Sequence, residues 1–252
     1  MFRTHPRLNT ALALALLLAG SVHARDAQHT DHPHYLDDTQ LHAAVALLPP
    51  PSPPGSAEDV ADQSVTFQVY TTRSAEQAAL AKKEESFDAF AFAAVLGPDF
   101  NPQRLPRTAA LFAAVKKDVA AAKNEAKQTW RRERPCPVNS CQWDPEGDAS
   151  DWKNRDYSYP SGHATRATVF AILLGKLFPQ RADALDRYAR DVDWRRVVRG
   201  VHTPQDIYAG RVLGQALARD FLASASLQRD LKLAATEIAA AGIAGSDAGK
   251  VH

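Results

Sequence analysis

Beyond residue 56 the chain reads as Ala- and Leu-rich stretches of helical character, separated by short breaks that carry Gly, Pro or Asn. Residues 57–80 have helical propensity, interrupted by a β-branched patch at 65–72. Residues 82–96 set Phe87, Phe90 and Phe92 in an Ala-rich frame that stops at Gly97-Pro98, and these rings are expected in the core. After a loop at 101–106, residues 107–132 form a strong helix of Ala, Leu, Lys and Val. Residues 161–178, 181–198, 204–225 and 227–241 supply the remaining core helices, with Ala164, Ala167 and Ala171 allowing close approach to a neighbour. The pattern predicts an all-α, single-domain helical bundle over residues 57–241, long enough to bury a real core.

The pattern fails in three places. Residues 1–24 have Arg3 and Arg7 ahead of an apolar run at 11–19, then Val22-His23-Ala24, which reads as a cleaved signal peptide and predicts a periplasmic or secreted protein. The run is short for a bilayer span, and a mean hydropathy of −0.34 agrees with no stable membrane insertion after cleavage. Residues 25–56 are polar and then Pro-rich, and are expected to run extended over the surface. His29, His32 and His34 fall there without a fixed scaffold for a metal. Residues 242–252 turn to Gly, Ser, Asp and Lys and are expected to form a flexible tail. Between Pro135 and Tyr159 no periodicity survives, so a long loop should form a substrate rim, with Trp143, Trp152 and Tyr157 packing it down or stacking on a leaving group. The two cysteines, Cys136 and Cys141, are expected to close a short disulfide in that loop, since a zinc site would need further ligands.

Net charge is +1, which gives no reason to invoke nucleic acid or an anionic membrane. The informative charges are local. Lys127, Arg131 and Arg134 would share one face if the helix reaches residue 132, although a cationic cluster alone reads as a solvated face. Tyr159-Pro160-Ser161-Gly162-His163 is a turn in which Ser161 caps the following helix, making an anion site at its N-terminus with His163 beside it. Arg195-Arg196 is followed by His202 and Asp206, one turn apart behind Pro204. The carboxylate can hold one ring nitrogen and leave the other exposed, although a lone His/Asp pair is usually structural.

Together the three stretches resemble the signature of the PAP2 superfamily of acid phosphatases and vanadium haloperoxidases. Its pattern runs K-x6-R-P, then P-S-G-H, then S-R-x5-H-x3-D. Here it falls on Lys127, Arg134 and Pro135; Pro160, Ser161, Gly162 and His163; and Arg196, His202 and Asp206. Arg195 stands where the family has Ser, which predicts an extra cation near the site. The Pro-rich stretch at 47–54 is similar to the lead-in of bacterial class A nonspecific acid phosphatases.

The resemblance implies the PAP2-type helical fold and metal-independent, cofactor-free hydrolysis of a small phosphate ester, with phosphotransfer to alcohols as a further activity. It implies that Lys127, Arg134 and Arg196, with the Ser161 hydroxyl and the Gly162 amide, cradle the phosphoryl group. His202, oriented by Asp206, would attack phosphorus and His163 would protonate the leaving oxygen. One neutral and one protonated imidazole suit a mildly acidic optimum. Arg131 and Arg199 are expected at the rim. A vanadate-dependent haloperoxidase and a non-catalytic phosphate-binding protein on the same fold are the alternatives, and monomer and homodimer both stay open.

Overall fold

The computed structural model describes Met1 and residues 35–135 and 157–243. The expectations for the signal peptide, His29, His32 and His34, the Cys136–Cys141 bridge, Trp143, Trp152 and the tail beyond Ile243 lie outside the described residues. In chain order α1 is Asp38–Ala46, α2 Ala57–Thr72, α3 Ala75–Lys83, α4 Ala93–Leu96, α5 Pro106–Trp130, α6 Gly162–Leu177, α7 Ala182–Val198, α8 Pro204–Ala223 and α9 Ala225–Ala240. Short 3-10 turns occupy Ala89–Phe92 and Pro179–Arg181. The described residues contain no strand, and no helix among them is long and apolar enough to cross a membrane.

The arrangement follows from α6. Between Arg166 and Lys176 it carries no charged residue, so it is apolar nearly all round and takes the middle of the bundle. Val169, Phe170, Leu173 and Leu174 are completely buried. Helices α7 and α8 pack along it, and α5 joins it to α9 and α1. The α6–α8 seam is close because Gly210 and Gly214 lie one turn apart. A Cβ at Gly210 would stand 2.6 Å from the Ser161 carbonyl oxygen and 2.7 Å from Ala164 Cβ; one at Gly214 would stand 2.7 Å from Thr168 Cβ. The Ser161 amide also donates to the Asp206 carbonyl at 2.9 Å. This seam therefore fixes the start of α6 against the first turn of α8.

Residues 38–46, 65–72, 131–132 and 243 depart from the sequence reading. Residues 38–46 are helical, not extended: Asp37 and Gln40 form a capping box, and Leu41, Ala44 and Val45 enter the core. Asp118, buried in α5, accepts from the Tyr35 and Leu36 amides at 2.8 and 3.3 Å and pins this segment down. The Pro-rich run that follows is non-helical and is tied to the bundle, with the Tyr159 hydroxyl donating to the Pro49 carbonyl at 2.5 Å and Gln205 bonded to Ser52. The core also reaches past Ala241 to the buried Ile243.

Helix α2 runs straight through the β-branched patch. Each such residue costs only a few tenths of a kcal/mol relative to better helix formers. The hydroxyls of Thr66, Thr71 and Thr72 bond to carbonyls one turn earlier, at 3.1, 2.9 and 2.8 Å. Finally, α5 stops at Trp130. Arg131 is left-handed, with φ 47°, and its amide caps the Lys127 carbonyl.

Candidate active site

That left-handed cap decides which cations reach the site. Beyond it the chain is extended, so side chains alternate: Arg131 and Glu133 are exposed, whereas Arg132 is buried and Arg134 half-buried. Arg131 turns back onto the Gln128 carbonyl and does not share a face with Lys127 and Arg134. The helical spacing assumed for the three cations ends one residue too early to include it.

Lys127, Arg134, Gly162, His163 and His202 line one cavity of about 180 Å³. Lys123 and Arg166 line it as well, with Val119 and Ala120. Segments far apart in sequence thus bring two imidazoles and four cations to one space, and no carboxylate lines it among the described residues. Lys127 is 2% exposed, and its ammonium donates to the Tyr157 carbonyl. Ser161 and Arg196 are buried beside the cavity without lining it. The Ser161 hydroxyl accepts from the Ala164 amide as the cap of α6, and Arg196 Nη1 donates to the Ala81 carbonyl at 3.2 Å. A Cβ at Gly162 would stand 2.8 Å from Lys123 Cδ, so the Lys123 stem lies against this glycine.

His202 is held from both sides. Its Nδ1 faces Asp206 Oδ2 at 3.4 Å, and Arg134 Nη1 lies 2.9 Å from Nε2 while also donating to the Val201 carbonyl at 2.7 Å. The Asp206 carboxylate accepts, so the proton sits on Nδ1, and Arg134 Nη1, also 3.5 Å from Nδ1, lies off the Nε2 lone-pair direction. Asp206 in turn belongs to a capping box with Thr203 and accepts from Arg132 Nη1 at 3.0 Å. Arg132 also donates to Thr203 Oγ1, Asp59 and Asp62, at 3.0, 2.8 and 3.1 Å. Burial works against the Arg132 charge, but Asp206, Asp59 and Asp62 outweigh it and raise its pKa.

His163 is held differently. Its Nε2 lies 3.1 Å from the Glu84 main-chain carbonyl, which can only accept, so Nε2 carries the proton and Nδ1 is the exchangeable site. Phe87 covers the ring at a centroid distance of 6.3 Å. Burial pushes the His163 pKa well below its ordinary value, and the charges of Arg196 and Arg166 push it further. Arg195 does not add charge to the cavity: it pairs with the Glu84 carboxylate at 2.5 Å. Arg199 pairs with Glu85 at 3.1 Å.

Sequence reasoning missed Arg132, Glu84, Lys123 and Arg166. Lys123 precedes Lys127 by one helical turn and Arg166 follows Gly162 by one turn, so both were recoverable from the 3.6-residue period. The contact from Glu84 runs through its backbone and has no sequence signal.

An all-α bundle that presents paired histidines and clustered cations in one cavity defines a class of anion-binding catalytic domain. The PAP2 superfamily profile matches residues 108–229, a span that contains every cavity-lining residue. Residues 108–229 are therefore a PAP2 superfamily domain. The chain is 26% identical to a non-specific acid phosphatase of Providencia stuartii over 214 residues, covering 82% of this chain and 85% of that protein. It is 28% identical to a non-specific acid phosphatase of Salmonella typhi, covering 73% and 75% of the two chains. A transmembrane PAP2-type phosphatidylglycerolphosphate phosphatase from Bacillus subtilis shares 20% identity at a TM-score of 0.44 over 72% of this chain and 89% of its own, too loose a likeness to bear on the site.

Proposed function

We propose that the chain is an exported acid phosphatase that hydrolyses phosphate monoesters through a phosphohistidine on His202, without a metal. The PAP2 domain and the acid phosphatase relatives support phosphatase activity. What supports the mechanism is that His163 and His202 line one cavity with Lys127 and Arg134, with Asp206 at His202 Nδ1 and the Glu84 carbonyl at His163 Nε2. Export rests on the N-terminal sequence pattern.

Phosphoryl oxygens entering the cavity are met by Lys127 and by Arg134, whose guanidinium lies beside the His202 ring without covering the Nε2 lone pair. Arg196 and the first amides of α6 add positive potential at the same place, where developing charge on the equatorial oxygens needs it. Nε2 then forms the N–P bond as the ester P–O bond breaks. The proton stays on Nδ1, facing the Asp206 carboxylate, whose negative charge stabilises the imidazolium.

The departing oxygen takes a proton from His163 Nδ1. Burial and its cationic neighbours disfavour the protonated form of His163. A bound phosphate ester brings compensating negative charge and raises its proton affinity at the moment an acid is needed. Water then attacks phosphorus, His163 Nδ1 accepts its proton, and phosphate leaves with His202 restored. Release of phosphate from p-nitrophenyl phosphate at mildly acidic pH, undiminished by EDTA, is the expected result. Complete loss of turnover on chelation would contradict the reading. Phosphate transfer to an added alcohol, seen as an alkyl phosphate product, tests whether acceptors other than water reach the same intermediate.

A further inference from the structure

A carboxylate faces His202, whereas a main-chain carbonyl faces His163. A carbonyl can hold a ring only as firmly as its own segment is held. Glu84 is the cap residue that ends α3, and residues 84–88 are non-helical before the 3-10 turn at Ala89–Phe92. The same segment carries Phe87, whose ring packs on the imidazole. The carbonyl and the covering ring therefore both depend on where residues 84–87 sit.

The end of α7 fixes that place. Arg195 Nη1 donates to Glu84 Oε1 at 2.5 Å, Arg196 Nη1 to the Ala81 carbonyl at 3.2 Å, and Arg199 Nε to Glu85 Oε1 at 3.1 Å. Of the two ion pairs, the first is the better shielded: the Glu84 side chain is 9% exposed and that of Glu85 39%, and buried pairs are screened least. The Tyr188 hydroxyl lies 3.5 Å from Glu84 Oε1, and the Arg195 guanidinium lies 5.6 Å from the Tyr188 ring centroid. Tyr188 meets Phe92 edge-on at 5.1 Å, and Phe92 meets Phe87 at 5.9 Å. The ion pair is thus continuous with the rings that pack on His163. Burial pushes the Glu84 carboxyl pKa up, and Arg195 leads the groups that pull against it.

We infer that Arg195 and Glu84 are positioning residues for His163: their ion pair fixes the Glu84 carbonyl, which keeps the proton on His163 Nε2 and leaves Nδ1 to serve the departing oxygen. The catalytic part of this role rests on the phosphatase reading above; the hold on the tautomer does not. The family pattern has Ser at position 195, so the pair is a departure of this chain and Arg195→Ser removes it.

The test compares kcat/KM on the full chain for p-nitrophenyl phosphate and for 3-hydroxypropyl phosphate, whose alkoxide needs a proton. This ratio covers the steps through loss of the leaving group, so the later attack of water does not enter it. Arg195→Ser should lower it about 10- to 10²-fold on the alkyl ester and no more than about threefold on the aryl ester. Arg195→Lys keeps the charge and should recover part of the loss. Glu84→Gln should reproduce the pattern, and adding it to Arg195→Ser should cost little more, as for two partners of one interaction. Both esters are measured on one preparation, so partial unfolding does not distort the comparison, and Glu84→Gln carries the test if Arg195→Ser does not fold. Independently of turnover, nitrogen NMR of the histidine rings should show His163 protonated on Nε2 in the wild type and a mixture of tautomers once the pair is broken. Equal losses on the two esters, no loss at all, or a tautomer that survives the substitution overturns the positioning role. A wild type that does not turn over p-nitrophenyl phosphate sinks the phosphatase reading instead, and the tautomer alone then decides whether the pair holds the ring.

Discussion

His202 and His163 open on the same cavity, yet their surroundings are built on different principles. Behind His202 the charges are paired and buried: Asp206 meets Arg132, which also serves Asp59 and Asp62, and the side chains of all four are at most 14% exposed. Around His163 the Glu84 carboxylate is taken by Arg195, and the charges of Arg196, Arg166 and His202 act on the ring. The first half is rigid and charge-compensated, which suits a nucleophile whose tautomer must not change. The second sets cations near a buried imidazole and disfavours its protonated form, which suits an acid that should load its proton only when an anion arrives.

If this contrast is right, the two halves should fail differently. His202→Ala should lower kcat by roughly 10⁴-fold or more on every monoester, with thermal stability little changed. His163→Ala should cost about 10²–10⁴-fold on alkyl phosphates and far less on p-nitrophenyl phosphate, whose leaving oxygen needs little protonation. Equal losses on both would remove His163 from the acid role.

Arg132 tests the compensated half. Arg132→Met leaves Asp206, Asp59 and Asp62 without their shared guanidinium and should destabilise the fold by roughly 3–5 kcal/mol, measured by urea unfolding. Arg132→Lys keeps the charge but not the forked geometry. It should recover much of the stability while kcat stays depressed at unchanged KM, which a merely structural role would not produce. Gly210→Ala attacks the seam between the halves and should cost about 1–3 kcal/mol by forcing α8 off Ser161 and Ala164.

The smallest effect is in pH. The His163 pKa is lowered in the folded state, so below about 6.5, the ordinary imidazole value, the unfolded chain binds a proton that the native chain refuses. Native stability therefore contains a term that falls as pH drops through that range. His163→Gln should flatten it when unfolding is compared at pH 7 and pH 5. A slope unchanged by the substitution would contradict the depressed pKa.

Much of the site was legible because its residues sit at fixed spacings within three short stretches. Lys127, Arg134, His163, His202 and Asp206 could be placed from those spacings, and the helical frame from the Ala- and Leu-rich periodicity. What was not legible has local causes. No Gly or Pro announces the left-handed turn at Arg131, so a helical period was carried two residues too far, placing Arg131 with the site and hiding Arg132. The capping box of Asp37 and Gln40 marks the start of α1, but the neighbouring prolines dominate the reading of that segment. The support of His163 by the Glu84 carbonyl spans 79 residues and uses no side-chain atom of Glu84. The pairing of Arg195 with that residue's carboxylate turns a suspected extra site cation into a clamp on the segment that holds the acid.

The most direct test of the central claim is to capture the covalent intermediate. His163→Ala protein, slowed in releasing phosphate, is mixed with a radiolabelled monoester, denatured in alkaline detergent and mapped by peptide. The account predicts label on the peptide containing His202, stable in base and lost in mild acid. Label on Ser161 or any other residue, or steady turnover with no labelled peptide at all, would contradict it.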